Sequence, residues 1–192
     1  MSQISFRLSD VDLSDTENIA RYVEVPSMQN GPLYRTMVPL SGTITDAQRD
    51  EITRWYIDML KDAFQDRTES SLKAQHLNSN VPVGFCGWTI IKQNDKRVEA
   101  KEKSKKGSWL PGVIDVNAWV TLSGDLRVER NRDLENLDNI CRLTFMAVNP
   151  KYQRQGIAPE GARLYEKFGF EIVGRVKTPY GAITSMLRPS RQ

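Results

Sequence analysis

The sequence predicts an α+β fold in which antiparallel strands pair as hairpins and helices lie beside them. Two observations carry this prediction. A strand, a tight turn and a second strand follow one another in the middle of the chain, and two helix-start signals precede them. A tight turn joins antiparallel neighbours, whereas parallel strands need a much longer crossover. The 192 residues suit a single domain over residues 1–192.

Capping boxes predict where the early helices begin. Ser14–Glu17 and Thr45–Gln48 each place a hydroxyl at the N-cap and a Glu or Gln three residues later, so that side chains and backbone N–H groups pair reciprocally. The first helix carries an apolar face of Ile19, Tyr22 and Val23. In the second helix, the clearest of the chain, the apolar residues recur at helical spacing: Ile52, Trp55, Met59, Leu60 and Ala63.

Runs rich in β-branched and aromatic residues predict the strands. Asn78–Asn80 indicates the turn of a central hairpin, and Pro179–Gly181 the turn of a closing one. A later helix is predicted over Asn117–Leu137, with a flaw at Gly124. The predicted strands are a first one in which Ile4, Phe6 and Leu8 alternate with polar residues, then Ser70–Leu77, Val81–Ile91, Arg142–Val148, Glu171–Val176 and Ala182–Leu187.

Composition and charge limit the classes of function. Apolar residues make up 39% and charged residues 27%, as in a globular protein. The net charge of +3 is too mild to argue for nucleic acid. The run Lys92–Lys106 is basic but interrupted by acidic residues, so it predicts a charged mobile loop at about 92–108, and a nucleic-acid binder ranks last among the hypotheses.

No stretch approaches the ~20 apolar residues of a membrane helix. The first residues lack the apolar core of a secretory signal, so we expect an intracellular protein of the cytoplasm or the nucleus. Cys86 and Cys141 lie in apolar strand-like runs, which predicts buried free thiols in a reducing compartment. His76 is the only histidine and has no neighbour at metal-ligand spacing, so no metal site is predicted.

The chemistry is concentrated after the strand Arg142–Val148. That strand ends in Asn149–Ala158, a loop in which consecutive backbone N–H groups can point into one concavity suited to phosphate oxygens. Gly156 allows close approach of a ligand, and Lys151 and Arg154 add positive charge.

The run Leu143–Ala158 resembles motif A of the GNAT superfamily of acetyltransferases. The family signature Gln/Arg-x-x-Gly-x-Gly/Ala is matched by Gln153, Gly156 and Ala158. The resemblance implies acetyl-CoA as co-substrate, with its pyrophosphate held by the amides of the loop and its pantetheine arm paired with the backbone of the strand. The implied cofactor-binding residues are Phe145, Met146, Ala147, Val148, Gln153, Arg154, Gln155, Gly156, Ile157 and Ala158.

Pro159–Phe170 resembles motif B of the same superfamily, and Gly84–Trp88 is similar to the third-strand pattern of its fungal members. The resemblance implies a mixed, mainly antiparallel central sheet flanked by helices. It also implies that Tyr165 is catalytic, as the general acid that protonates the CoA thiolate. The implied activity is acetyl transfer to a primary amine of a small molecule or a peptide.

The family places a helix and a strand between the two motifs, but here Ala158 is followed directly by Pro159. We therefore predict an internal deletion, with one helix and one strand lacking after motif A. Pro159 offers no N–H, and Glu160 puts negative charge where a phosphate would lie. The alternative hypothesis is thus a catalytically impaired isoform or binding module that has lost normal acetyl-CoA binding. Three acidic residues remain open as general base: Glu129, Glu135 and Asp138.

Overall fold

The structure is a computed structural model that describes residues 6–66, 68–91, 109–134, 137, 140–153, 165–166 and 169–188. It divides into two compact units. The first combines Met1–Ser27, Thr45–Gly112 and Leu137–Pro150, and the second combines Met28–Ile44, Val113–Asn136 and Lys151–Gln192. The predicted loop at 92–108 and the join between residues 158 and 159 lie outside the described residues. One domain over residues 1–192 stays a prediction.

The first unit contains a four-stranded antiparallel sheet in the order β1-β2-β3-β4. The predicted central hairpin is confirmed, and Asn80 in its turn has a positive φ of 54°, which Asn tolerates better than most residues. Among the described residues β4 pairs only with β3, which makes it an edge strand of this sheet. The strands are β1 Phe6–Asp10, β2 Glu69–His76, β3 Pro82–Ile91 and β4 Ile140–Val148.

The first helical segment begins two residues earlier than predicted. Asp12, not Ser14, is the N-cap: its carboxylate accepts from the Ser14 N–H at 2.9 Å, and the Asp12 N–H donates to Asp15 Oδ2 at 2.7 Å. An Asp caps as well as a Ser, and here Asp15 completes the box. A 3₁₀ turn at Leu13–Asp15 therefore leads into α1, Thr16–Ile19, a π-helical turn, Ala20–Glu24, and α2, Val25–Met28.

The longest helix of the first unit, α4, spans Asp46–Gln65, after α3 at Pro32–Met37. Its predicted capping box is confirmed. The Gln48 N–H donates to Thr45 Oγ1 at 3.3 Å, and the Thr45 N–H donates to Gln48 Oε1 at 2.8 Å.

A row of three aromatic rings joins α4 to the sheet. Phe85 on β3 lies 6.1 Å from Phe145 on β4 in a stacked arrangement, and 6.2 Å from Phe64 on α4 in an edge-to-face one, measured between ring centroids. Such pairs add about 0.5–1.5 kcal/mol beyond the area they bury. The core of this unit therefore lies between α4 and one face of the sheet.

The other face of the sheet carries exposed apolar side chains. Ile90 is 64% exposed, and Leu143 and Met146 are also exposed. Cys141 pairs with Ile90 across β3 and β4 and is exposed, so its predicted burial is wrong, because an apolar run on an edge strand does not show which side chains face the core. Cys86 is half-buried, and burial raises the pKa of its thiol.

The main elements described in the second unit are α3, a long helix α5 at Val116–Leu134, and a hairpin of β5, Glu171–Thr178, and β6, Gly181–Leu187. The predicted closing hairpin is confirmed. Helix α5 runs through Gly124 without a break, so the predicted flaw is absent, and it ends at Leu134 rather than at residue 137. The Arg35 guanidinium lies 4.5 Å from the centroid of the Tyr180 ring in the hairpin turn, which ties α3 to the hairpin by a cation–π contact.

A cluster of hydrogen bonds involving Glu129, Arg132 and Asp133 holds α5 against β5, and we call this cluster the acidic lock. Glu129 Oε1 accepts from the Arg175 N–H at 2.9 Å and from Arg132 Nη2 at 2.7 Å, and the same Nη2 donates to Asp133 Oδ1 at 2.9 Å. Gly174 makes the approach possible, because a Cβ there would lie 2.6 Å from Asp133 Oδ2 and 3.0 Å from Glu129 Cδ. Glu129, a candidate base by sequence, is therefore already occupied by backbone and Arg partners in this lock.

We expect Gly174→Ala to lower the free energy of unfolding by about 1–3 kcal/mol, because the new methyl displaces the Glu129 carboxylate from the Arg175 N–H. The matched control is Gly124→Ala, where the added Cβ meets nothing within 4 Å. In a helix interior this change should stabilise by about 0.5–1 kcal/mol. Urea unfolding of both variants measures the difference, and equal effects of the two would contradict the lock.

Candidate functional site

A β-bulge interrupts β4 in the middle of the predicted cofactor strand. Gly87 pairs with Phe145 and Trp88 pairs with Leu143, so Thr144 is an extra residue without a partner in the ladder. The bulge shifts the alternation of side chains by one residue. The next exposed side chain after Leu143 is therefore Met146, three positions later, while Phe145 turns towards the aromatic row.

Most side chains in the predicted cofactor-binding segment of β4 are buried in the core. Ala147 and Val148 are buried, Phe145 stacks on Phe85, and only Met146 exposes its side chain. A ligand along this strand would thus contact mainly backbone groups, as the motif implies, and few side chains. Gln153 is exposed just after the 3₁₀ turn Pro150–Tyr152, and residues 154–158 lie outside the described residues.

The bulge also leaves a hydroxyl without a partner. Thr144 Oγ1 is buried and makes no hydrogen bond among the described residues. A Cβ at Gly87 would lie 3.2 Å from this oxygen and 3.2 Å from Ser71 Oγ, so the glycine makes room for both hydroxyls. The β4 bulge therefore sits next to a small polar notch on the side of the sheet that bears the aromatic row.

The π-helical turn follows from a proline inside the helical segment. Pro26 lacks the N–H that would bond the Tyr22 carbonyl, and its ring crowds that same carbonyl. The helix widens upstream, where the Val25 N–H donates to Ala20 O, five residues back. The Tyr22 carbonyl accepts instead from Asn149 Nδ2 at 2.5 Å, and Asn149 is the first residue after β4.

Glu24 ends the π-helical turn and is the most unusual ionisable group of the first unit. It is only 6% exposed, and neither a hydrogen bond nor a charged group of the described residues contributes to the pKa of its carboxyl group. Burial raises its pKa from the ordinary 4.5 to about 7. The turn packs against α4, β3 and β4, so this carboxyl group belongs to the same unit as the bulged strand.

Sequence reasoning missed Glu24, although a signal was present. The predicted apolar face included Tyr22, which is 47% exposed and lies off the core. The buried stripe instead runs through Ala20 and Val23 to Glu24, at helical spacing. Burying a carboxylate without a partner costs free energy, so a carboxylate within an apolar stripe is a candidate for an ion pair or for a functional group.

Tyr165, the predicted general acid, lies in the second unit, and Tyr165 and Glu166 have helical backbone. The Phe170 N–H donates to Tyr165 O at 2.9 Å and the Gly169 N–H to Glu166 O at 3.0 Å, with Gly169 at φ +80°. These are the bonds of a Schellman motif with Gly169 at the C′ position. The Tyr165 ring packs edge-on against Phe170 at 5.4 Å, and its catalytic role stays a prediction.

Within the described ranges, no three His, Cys, Asp or Glu side chains converge as metal ligands. His76 packs edge-on against Phe6 at 6.2 Å, and its Nδ1 accepts from the Asn78 N–H at 3.3 Å. In the same part of the chain, none of the helices has the length and apolar character to cross a membrane.

Neither a protein-family model nor a curated protein sequence matches the chain. Among solved structures, the chain is similar to the crystal structure of arylalkylamine N-acetyltransferase 2 from Aedes aegypti. The match covers 95% of this chain and 97% of that one, with a TM-score of 0.56 and 12% sequence identity. The two chains share a fold. The predicted GNAT-like mixed fold is thereby confirmed, while the fungal-type assignment and the internal deletion stay predictions.

Proposed function

We propose that the protein transfers the acetyl group of acetyl-CoA to a small primary amine, with Glu24 as general base. The observation that carries the proposal is the buried, unpaired carboxyl group of Glu24, in a chain with the fold of an N-acetyltransferase. A primary amine is protonated at neutral pH and must lose a proton before it can attack. A carboxylate whose pKa is about 7 is matched to that transfer at neutral pH.

In the proposed reaction the amine nitrogen forms a bond to the acetyl carbonyl carbon, and the bond from that carbon to the CoA sulfur breaks. The ammonium loses one proton to Glu24 before the nitrogen attacks. The leaving thiolate takes a proton from the proposed acid, Tyr165, and the second proton that the acetylated nitrogen loses restores the Tyr165 hydroxyl. The products are an N-acetylated amine and free CoA. The fold neighbour is described as an arylalkylamine N-acetyltransferase, so we propose arylalkylamines first and peptide amines second as acceptors.

We further propose that acetyl-CoA binds along β4 and the loop that follows. Two features support this. The strand forms an edge of its sheet and turns Phe145, Ala147 and Val148 into the core, which suits recognition through the backbone. The bulge at Thr144 bends the strand locally, as bulges beside active sites do. The loop residues Gln153–Ala158 would supply amides for the pyrophosphate, as motif A implies.

Calorimetric titration with acetyl-CoA tests the binding step. We expect acetyl-CoA to bind with a Kd of about 1 μM. Gly156→Val should abolish this binding, because the added side chain blocks close approach of the ligand to the loop. Gly42→Val is the control, because a Cβ at Gly42 meets nothing within 4 Å. Release of CoA thiol with a panel of primary amines, arylalkylamines included, tests the chemistry.

The same titration, together with the measurement of thiol release, separates the enzyme from the rival hypothesis of a catalytically impaired isoform or binding module. That hypothesis rests on the sequence of the join, where Pro159 and Glu160 are poor partners for a phosphate. No heat at millimolar acetyl-CoA would overturn the enzyme. Binding without thiol release for any amine would leave a binding module.

A further inference from the structure

We propose that Asn149 is a positioning residue, which couples the end of the cofactor strand β4 to the π-helical turn that carries Glu24. The catalytic meaning of this coupling rests on the proposed function. The coupling itself rests on hydrogen bonds within the first unit.

Asn149 bonds two elements at once. Its backbone N–H donates to Val83 O on β3 at 2.9 Å, which fixes the residue at the end of the sheet. Its side-chain amide donates to Tyr22 O in the π-helical turn at 2.5 Å. The segment leading from β4 into the motif A loop therefore shares one hydrogen-bonded frame with the turn.

Pro26 creates the need for this bond. Because residue 26 has no N–H, the Tyr22 carbonyl has no donor at its usual position, four residues on. Asn149 supplies one from outside the helix. A widened turn is a less stable arrangement than a regular α-helix, so an external bond that holds it in place also holds the direction of the side chains it carries.

Loosening of the π-helical turn would change the surroundings of the Glu24 carboxyl group. Glu24 lies two residues from the anchored carbonyl, and it stays buried without a partner among the described residues. Only burial contributes to its raised pKa, with no charged neighbour adding to it. Any movement that lets water reach the carboxylate therefore moves its titration towards the ordinary range.

A double-mutant cycle separates positioning from a general structural role. We expect Asn149→Ala to lower kcat about 10-fold with little change in KM for acetyl-CoA. In a Glu24→Gln background the same change should cost less than about 2-fold, because the residue acts through Glu24. Equal losses in both backgrounds would overturn the proposal. Asn149→Leu, which keeps a similar shape and removes the donor without adding charge, serves if the Ala variant fails to fold.

A second readout needs no activity. The titration midpoint of the Glu24 carboxyl, followed by ¹³C NMR on the protein without ligand, should fall by about a unit or more in Asn149→Ala and Asn149→Leu. It should stay near 7 in Asn18→Ala, an exposed asparagine of α1. A shift in the NMR titration without any acetyl transfer would keep the coupling and refute the enzyme. An unchanged midpoint in both Asn149 variants would overturn the coupling itself.

Discussion

Glu24→Gln is expected to lower kcat for acetyl transfer by about 10²–10⁴-fold, the range over which a general base contributes. The amide has nearly the same shape as the carboxyl group, so it fills the same buried position but cannot accept the amine proton. In the parent protein kcat/KM should rise with pH and level off above about 7, because the base must be ionised to act. Stopped-flow or steady-state thiol release over pH 5–9 measures both effects.

The same substitution has a consequence for stability with a defined sign. The folded protein holds the Glu24 proton more tightly than the unfolded chain, since the pKa is about 7 against 4.5. The stability this gives is therefore fully present below pH 4.5 and is lost as the pH rises through about 7. The full loss is about 3 kcal/mol as an upper estimate. Glu24→Gln should abolish that slope in urea unfolding.

The matched control for both effects is Glu17→Gln. Glu17 lies on the same helical segment, but its side chain is exposed and paired with Arg21. Its replacement should leave kcat unchanged and should alter stability by less than about 0.5 kcal/mol. Activity of Glu24→Gln within about 3-fold of the parent would rule out Glu24 as the base.

Phe85→Ala is expected to lower the free energy of unfolding by about 3–5 kcal/mol, because it removes the central ring of the aromatic row and leaves a cavity between Phe64 and Phe145. At about 2–4 °C per kcal/mol for a chain of this size, the melting temperature should fall by roughly 6–20 °C. Differential scanning calorimetry measures it.

Ile90→Ala is the control for the Phe85 prediction. Ile90 lies on the same strand but on the opposite, exposed face of the sheet. Its truncation should cost no more than about 0.5 kcal/mol. A similar loss for both variants would mean that the exposed face is also a core in solution.

Local signals in the sequence predicted most of the fold. The box at Thr45 and Gln48 starts α4 where expected, because N-cap chemistry depends on residues three apart and needs no distant contact. The hairpin around Asn80 is set by its own turn in the same way. The prediction that Gly124 interrupts the helix was wrong, because the packing of a long helix outweighs the intrinsic cost of one glycine.

The site was harder to predict, since it depends on pairing between distant segments. The bulge at Thr144 exists only relative to β3, and an apolar run such as residues 140–148 gives no local sign of the extra residue. The π-helical turn was signalled by Pro26, but its partner Asn149 lies more than a hundred residues away. Glu24 became conspicuous only once its neighbours were known to be buried.

The exposed face of the sheet gives the protein a built-in attachment point. Of its two cysteines, Cys141 is exposed on β4, whereas Cys86 is half-buried with a raised thiol pKa. A maleimide dye reacts with the thiolate form of an accessible cysteine, so it should attach at Cys141 first. Fluorescence from that position would report on the strand proposed to hold acetyl-CoA, in the natural sequence and without removing either cysteine.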